Sequence, residues 1–278
     1  MSAISVNRRS ILKSGAASAA ALGVATTAAP AAAATAFTTP VIRAEWYDLA
    51  AADEQAHLAW LHGDYLSKLK ASPGVIWVGH YRIAKKSGEP STPGGLRRVE
   101  TEDKNVPSGS DYVLITAAVS PETFLGWDSP LSTLEKTGQE RLGQRVGYRQ
   151  AIFIEEARVD GLMNNPERDK AAPPAIQLGN FNVRMPADEL ELARYYRLSR
   201  FQEVAMTVGS MGARKLVSII GWPKHGILYE FASMNPGEQV FEQRMLANRK
   251  PLPIKLRPIQ EYVVHAPGAP HAGSRIWP

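Results

Sequence analysis

Residues 53–82 read DEQAHLAWLHGDYLSKLKASPGVIWVGHYR, and the apolar positions change period part-way along. At 100° per residue, Leu58, Leu61, Tyr65, Leu66 and Leu69 fall on one stripe, with His62 inside it and Trp60 on the opposite side. That spacing predicts a helix with one buried face. Asp53 suits its N-cap and Glu54 its first turn, where acids meet the positive end of the helix dipole. Pro73 ends it. Beyond Gly74 the pattern alternates, predicting a strand in which Val75, Trp77, Gly79, Tyr81 and Ile83 face one way and Ile76, Val78, His80 and Arg82 the other. Neither set is purely polar, so both faces are expected to be covered. Further strands are predicted at 43–49, 111–119 and 149–159, with a short helix at 122–127 and a more polar one at 131–142.

The pattern recurs. Ala52-Asp53-Glu54 returns as Ala187-Asp188-Glu189, each time after a strand-like run and before a helix, a glycine (Gly74, Gly209) and a β-rich segment. Such a recurrence predicts a duplicated βαβ-containing unit and outranks local readings. In the second copy, a strand at 176–184 leads through Pro186, in the first helical turn, to a helix. Its predicted stripe is Leu190, Ala193, Phe201, Val204 and Val208, with Arg194 and Arg197 within it. Aligning the triplets sets Arg197 opposite His62, a buried cation that needs a partner such as Glu230 or an anionic ligand. A hairpin joins 215–221 to 227–233, a helix follows at 238–248, and a last strand at 257–265. The organisation expected is a first repeat at 37–160 with a surface insertion at 87–110, a linker at 161–175, a second repeat at 176–265, and a surface-wrapping tail at 266–278.

Composition narrows the chemistry. The formal charge of +5 includes Arg8, Arg9 and Lys13, which lie in a segment expected to be removed, and residues 1–36 hold no acid, so +2 is left. That is too little for a nucleic-acid surface. There is no cysteine, which excludes disulfides, thiolate metal sites and cysteine nucleophiles. No HExxH metal motif, phosphate-binding loop or GxSxG elbow is present. Asn7-Arg8-Arg9-Ser10-Ile11-Leu12-Lys13 precedes a weakly apolar, alanine-rich run and several A-x-A sites. This resembles a twin-arginine export signal over residues 1–36, which implies the twin-arginine machinery as a partner and a periplasmic or secreted protein. The run is too short and diluted to span a membrane after cleavage.

Each unit reads β-α-β-β-α-β, the ferredoxin-like split arrangement. Two such units resemble the dimeric α+β barrel superfamily, fused into one chain. Trp60, Asp64-Tyr65-Leu66, Pro73-Gly74 and His80-Tyr81-Arg82 stand where EthD-like families carry an aromatic, an acid-His-Leu triplet, Pro-Gly and a strand end. Tyr65 replaces the family's histidine, and His62 lies one turn earlier. The expected fold class is therefore α+β, two ferredoxin-like βαββαβ repeats in one barrel, as monomer or homodimer. His62, His80 and Tyr65 are the candidate catalytic residues. Arg82, Trp77, Tyr81, Tyr47 and Arg197 are the candidate substrate-binding ones, with aromatic walls suited to a small apolar or aromatic molecule. The alternative is that His62 and Tyr65 are satisfied core residues and His80 and Arg82 a structural pair. The leading reading is an exported enzyme of lyase, isomerase or oxygenase type, using acid/base chemistry and neither metal nor cofactor. The alternatives are a non-catalytic periplasmic binding protein and a haem-dependent peroxidase-like enzyme, for which His225 and His265 are the candidate iron ligands.

Overall fold

The structure, a computed structural model, describes residues 40–85, 98–126, 130–233, 251 and 255–278. The helix expected at 238–248 lies outside the described residues. Among them, nine strands form one sheet: β1 (Val41–Leu49), β2 (Val75–Ile83), β3 (Tyr112–Ala118), β4 (Arg145–Asp160), β5 (Ala175–Val183), β6 (Ser210–Gly221), β7 (His225–Phe231), β8 (Val263–His265) and β9 (His271–Arg275). Eight of them close into an antiparallel barrel in the order β1-β3-β2-β9-β5-β7-β6-β4, with β4 returning to β1 and β8 set beside β5. Closure removes the free edges that an open sheet would expose.

The pairings of the first half recur in the second. β1 meets β3, and β3 meets β2, as β5 meets β7, and β7 meets β6. The single long β4 runs from β1 on to β6. Its counterpart is broken: β8 lies along 181–183 of β5, while β9 lies along 175–178 and continues to β2. The last strand is therefore not 257–265. Only 263–265 is strand there, and the tail expected to wrap the surface is an inner stave of the barrel.

The helices recur as well. α1 (Glu54–Trp60) and α2 (Leu66–Lys70) are joined by a π-helical segment, Leu61–Tyr65; α6 (Asp188–Tyr195) and α7 (Phe201–Ala205) are joined by another, Tyr196–Arg200. The two π segments are spaced as Asp53 is from Asp188. Such interruptions turn the helix face and concentrate at functional positions. Trp60, expected on the far side, is half-buried with its ring 5.2 Å from that of Tyr65. In the second half the predicted stripe holds only in part: Phe201 and Val204 are buried, but Leu190 is 61% and Val208 69% exposed. Beside Phe201 and Val204, the buried face carries Asp188, Leu192, Tyr195, Tyr196, Ser199 and Glu203. Polar residues on that face, among them Ser199, which donates to Glu203 Oε1 at 2.9 Å, hid it from the hydrophobic pattern.

Three smaller helices, α3 (Glu122–Leu125), α4 (Pro130–Thr137) and α5 (Gln139–Leu142), complete the first half. The barrel is filled by side chains, among them Trp46, Trp77, Tyr81, Phe153, Ile176 and Leu228, as expected for eight strands. A second cluster packs between α6–α7 and the sheet, and a third between α1–α2 and the sheet. Of the stretch read as an insertion, 86–97 lies outside the described residues. The remainder is tied down, with Thr101 N donating to His265 O and Gly109 N to Gly147 O, both at 2.9 Å. The stretch read as a linker places Arg168 and Ala172 in buried positions, and Pro173 O accepts from the Tyr81 hydroxyl at 3.0 Å.

Candidate active site

Strand alternation sorts the candidate residues onto two sides. On β2, Trp77 and Tyr81 point into the barrel, and His80 points to the helix side; on β1, Trp46 points inward and Tyr47 outward. The π segment carries His62 over β2. The result is a continuous line: His62 Nε2 lies 2.8 Å from His80 Nδ1, and His80 Nε2 lies 2.8 Å from the Tyr47 hydroxyl. His80 is fully buried and His62 half-buried. The tail closes over both, since Trp277 Nε1 donates to His62 O at 3.1 Å and Ile276 N to His80 O at 2.8 Å.

Aromatic rings hold the line in place. His80 stacks with Tyr47 (centroids 6.0 Å apart, planes 8° apart) and with Tyr112 (5.4 Å, 24°). The Arg145 guanidinium sits 4.7 Å from the centre of the Tyr47 ring. Tyr112 donates to Glu54, which also pairs with Arg82 at 2.8 Å. Burial pushes the His80 imidazolium well below its ordinary range, and His62 and Arg145 add to this. Burial lowers His62 as well and pushes the Tyr47 phenol up. Both imidazoles are therefore uncharged near pH 7 and the phenol keeps its proton. With His80 Nε2–H donating to Tyr47, His80 Nδ1 accepts from His62 Nε2–H, and His62 Nδ1 keeps a free lone pair. With the Tyr47 hydroxyl donating instead, every bond reverses. The line carries a proton in either direction.

The other candidates go elsewhere. Tyr65 is buried beside Trp60, in the field of the Arg43–Glu45–Glu135 group, and is not brought to the histidine pair. Trp77 and Tyr81 are separated from His80 by the sheet itself. Arg82 shares the His80 side but is 56% exposed and lies over the outer face of Tyr112. It also lines a cavity of about 440 Å³ with Ile83, Lys85, Asp111, Ser274 and Ile276. Arg197 is exposed, and Glu230, the partner expected for it, binds Arg168 and Arg214. Sequence reading misses Tyr112, Glu54 and Arg145 as site residues. Glu54 does carry a signal, as the last member of the recurring triplet.

The second half builds a charged counterpart. Lys215 on β6 lies 3.0 Å from His225 Nδ1 and 3.1 Å from Glu156, and His225 Nε2 lies 2.9 Å from Glu189. Burial first, and Lys215 second, lower His225 to about 4. A histidine depressed in the fold takes up its proton in the unfolded chain first, so stability is full above about pH 6.5 and is lost as the pH falls toward 4. Depressed carboxylates such as Glu45, which burial would raise but Arg43 and Arg145 hold down, act in the same direction. The share of His225 is therefore read by difference. Between pH 7 and pH 4.5 the wild type should lose about 2 kcal/mol more stability than His225→Gln in urea denaturation.

No protein-family model matches the chain, and no curated protein matches it. Several solved structures are similar to this chain at low identity. A candidate chlorite dismutase is 10% identical, with a TM-score of 0.49 over 86% of this chain and 95% of that one. A dye-decolorizing protein from V. cholerae is 13% identical, with 0.44 over 85% and 94%. A haem-binding protein from Thermus thermophilus is 12% identical, with 0.41 over 85% and 91%. At these scores no residue role is carried over. The expectation that no cofactor takes part is corrected, because one of these neighbours is described as a haem-binding protein. Of the two histidines offered for iron, His225 does not fit that role. Both ring nitrogens of His225 are engaged by Lys215 and Glu189. His265 Nδ1 lies 3.3 Å from Val99 O and its ring packs on Phe181 at 5.7 Å. The layer between α6–α7 and the sheet is filled by Phe181, Tyr195, Tyr196, Phe201, Tyr229 and Phe231.

Proposed function

We propose that this chain is an enzyme that moves a proton on a small apolar or aromatic compound, with His62 as the base and His80 and Tyr47 as the line behind it. The observation that carries this is the unbroken run of 2.8 Å contacts from a half-buried imidazole to a buried phenol. Neutral imidazole at the end of such a line takes a substrate proton at Nδ1, and His80 stabilises the resulting charge through Nε2–H of His62. The two-fold recurrence of pairings supports reading the barrel as two fused ferredoxin-like repeats, and closure within one chain supports a monomer. The paired Arg8-Arg9 supports export by the twin-arginine route to the periplasm or beyond.

The test begins with a thermal-shift screen of aromatic and small apolar compounds, because a ligand that binds the fold raises its melting point. Turnover of the compounds that bind is then measured. His62→Gln and His80→Gln should each lower it about 10²–10⁴-fold with the fold intact, and unchanged turnover in both sinks the assignment. A haem-dependent enzyme is the second reading, and it comes from the company of the fold rather than from the histidines of this chain. A Soret band in protein purified from its native host would establish it.

A further inference from the structure

We infer that Glu54 is a positioning residue for the His62–His80 pair, acting through the hydroxyl of Tyr112. This rests on the reading of that pair as the proton-handling site.

Tyr112 is 1% exposed and is held on every side. Glu54 accepts its hydroxyl, the Arg82 guanidinium lies 5.3 Å from its ring centre, and His80 and Tyr47 stack at 5.4 and 5.5 Å. Arg82 is itself tied to Glu54. A phenol donating to a carboxylate makes a strong, charge-assisted hydrogen bond. The carboxylate in the first turn of α1 thus fixes the ring against which His80 rests, and α1 runs directly into the π segment that carries His62. One side chain sets the separation of the two imidazoles from both ends.

The second half repeats the device with different chemistry. Glu189, the last residue of the second Ala-Asp-Glu, reaches His225 Nε2 at 2.9 Å. His225 opens β7 as Tyr112 opens β3. Tyr112 pairs in register with Tyr47, and His225 with Phe181. Both glutamates therefore grip the first residue of the third strand in their half. That recurrence explains why the triplet survives in copies that share little else, and it separates Glu54 from an ordinary exposed acid at a helix start.

The chain has six histidines, few enough for each ring to be followed by ¹H–¹⁵N long-range correlation in the full protein, with signals assigned from His→Gln variants. Glu54→Leu should move the ring-nitrogen signals of His80 and His62 and shift the pH at which His62 protonates. Glu54→Gln keeps an acceptor for the Tyr112 hydroxyl and should restore most of the wild-type pattern. Tyr112→Phe should reproduce Glu54→Leu, and the double variant should add nothing further, as expected when two residues act in one chain. Glu189→Gln should move His225 and leave His62 and His80 in place. Folded Glu54→Leu with unchanged His62 and His80 signals overturns the inference, as do additive effects in the double variant. The underlying pair is read separately: if His62→Gln leaves the His80 Nδ1 signal unmoved, the proton line itself fails, whatever Glu54 does.

Discussion

A chain ending after His265 should not fold to a cooperative native state. The deletion removes β9, and with it the only link between β2 and β5 among the described residues. Two strands then present unpaired N–H and C=O groups along the opened seam, which favours association with other chains. Trp277, 8% exposed, and the contacts of 276–277 with His80 and His62 go with it. Domains are stable by only about 5–15 kcal/mol, so losing a stave and its packing consumes the margin. The expected result is aggregated or non-cooperatively melting protein by circular dichroism. A milder probe is Gly273→Val. A Cβ at Gly273 would stand 2.1 Å from the Arg82 carbonyl oxygen, which is backbone and cannot swing away. That variant should lose about 1–3 kcal/mol in urea denaturation through overpacking. A truncated chain with the midpoint of the full one would show that the seam closes without the tail.

The tail also shows where sequence reading runs out. HAGSR has no alternation of apolar residues, because β9 contributes backbone hydrogen bonds and small side chains in a narrow space. Its small residues and nearby prolines imitate a loop. The strands and helices that bury side chains were legible from their periods, and the Ala-Asp-Glu recurrence located both π-interrupted helices. What the periods could not reveal is the turn of face that a π segment introduces, or a buried face built from Asp188, Ser199 and Glu203. For the site, alternation on β2 correctly separated His80 from Trp77 and Tyr81, and the helical stripe put His62 toward the sheet. Tyr65 lay on the same stripe yet packs against Trp60, since contact across two elements depends on where each side chain is directed, which spacing does not state. Tyr112 was read only as part of a strand. Its role comes from a glutamate 58 positions earlier.

Arg168, in a stretch that reads as a linker, is the most consequential of these distant pairings. It is 4% exposed and binds Glu230, while Arg214, fully buried, binds the other Glu230 oxygen at 2.9 Å. Glu155, Asp160 and Asp169 complete the group from β4 and the segment after it. Glu230 lies on the same side of β7 as Leu228, inside the barrel, and is 0% exposed. A buried carboxylate between two guanidinium groups is stabilising only while all three are present, because each charge was taken out of water at a cost the others offset. Glu230→Gln preserves the shape and removes the innermost charge, leaving two buried guanidinium groups whose remaining carboxylates are Asp160 for Arg168 and Asp169 and Glu155 for Arg214. It should destabilise the protein by about 3–5 kcal/mol, measured as a lowered urea midpoint at unchanged slope. Replacing Arg168, Arg214 and Glu230 together by apolar residues of similar volume should cost less than the single change, since the carboxylates left are Glu155, which keeps Arg158, and the more exposed Asp160 and Asp169. The opposite order, with the single variant near wild type, would mean that water reaches this end of the barrel and solvates the arginines, and that the network does not hold the segment at 161–174 in place.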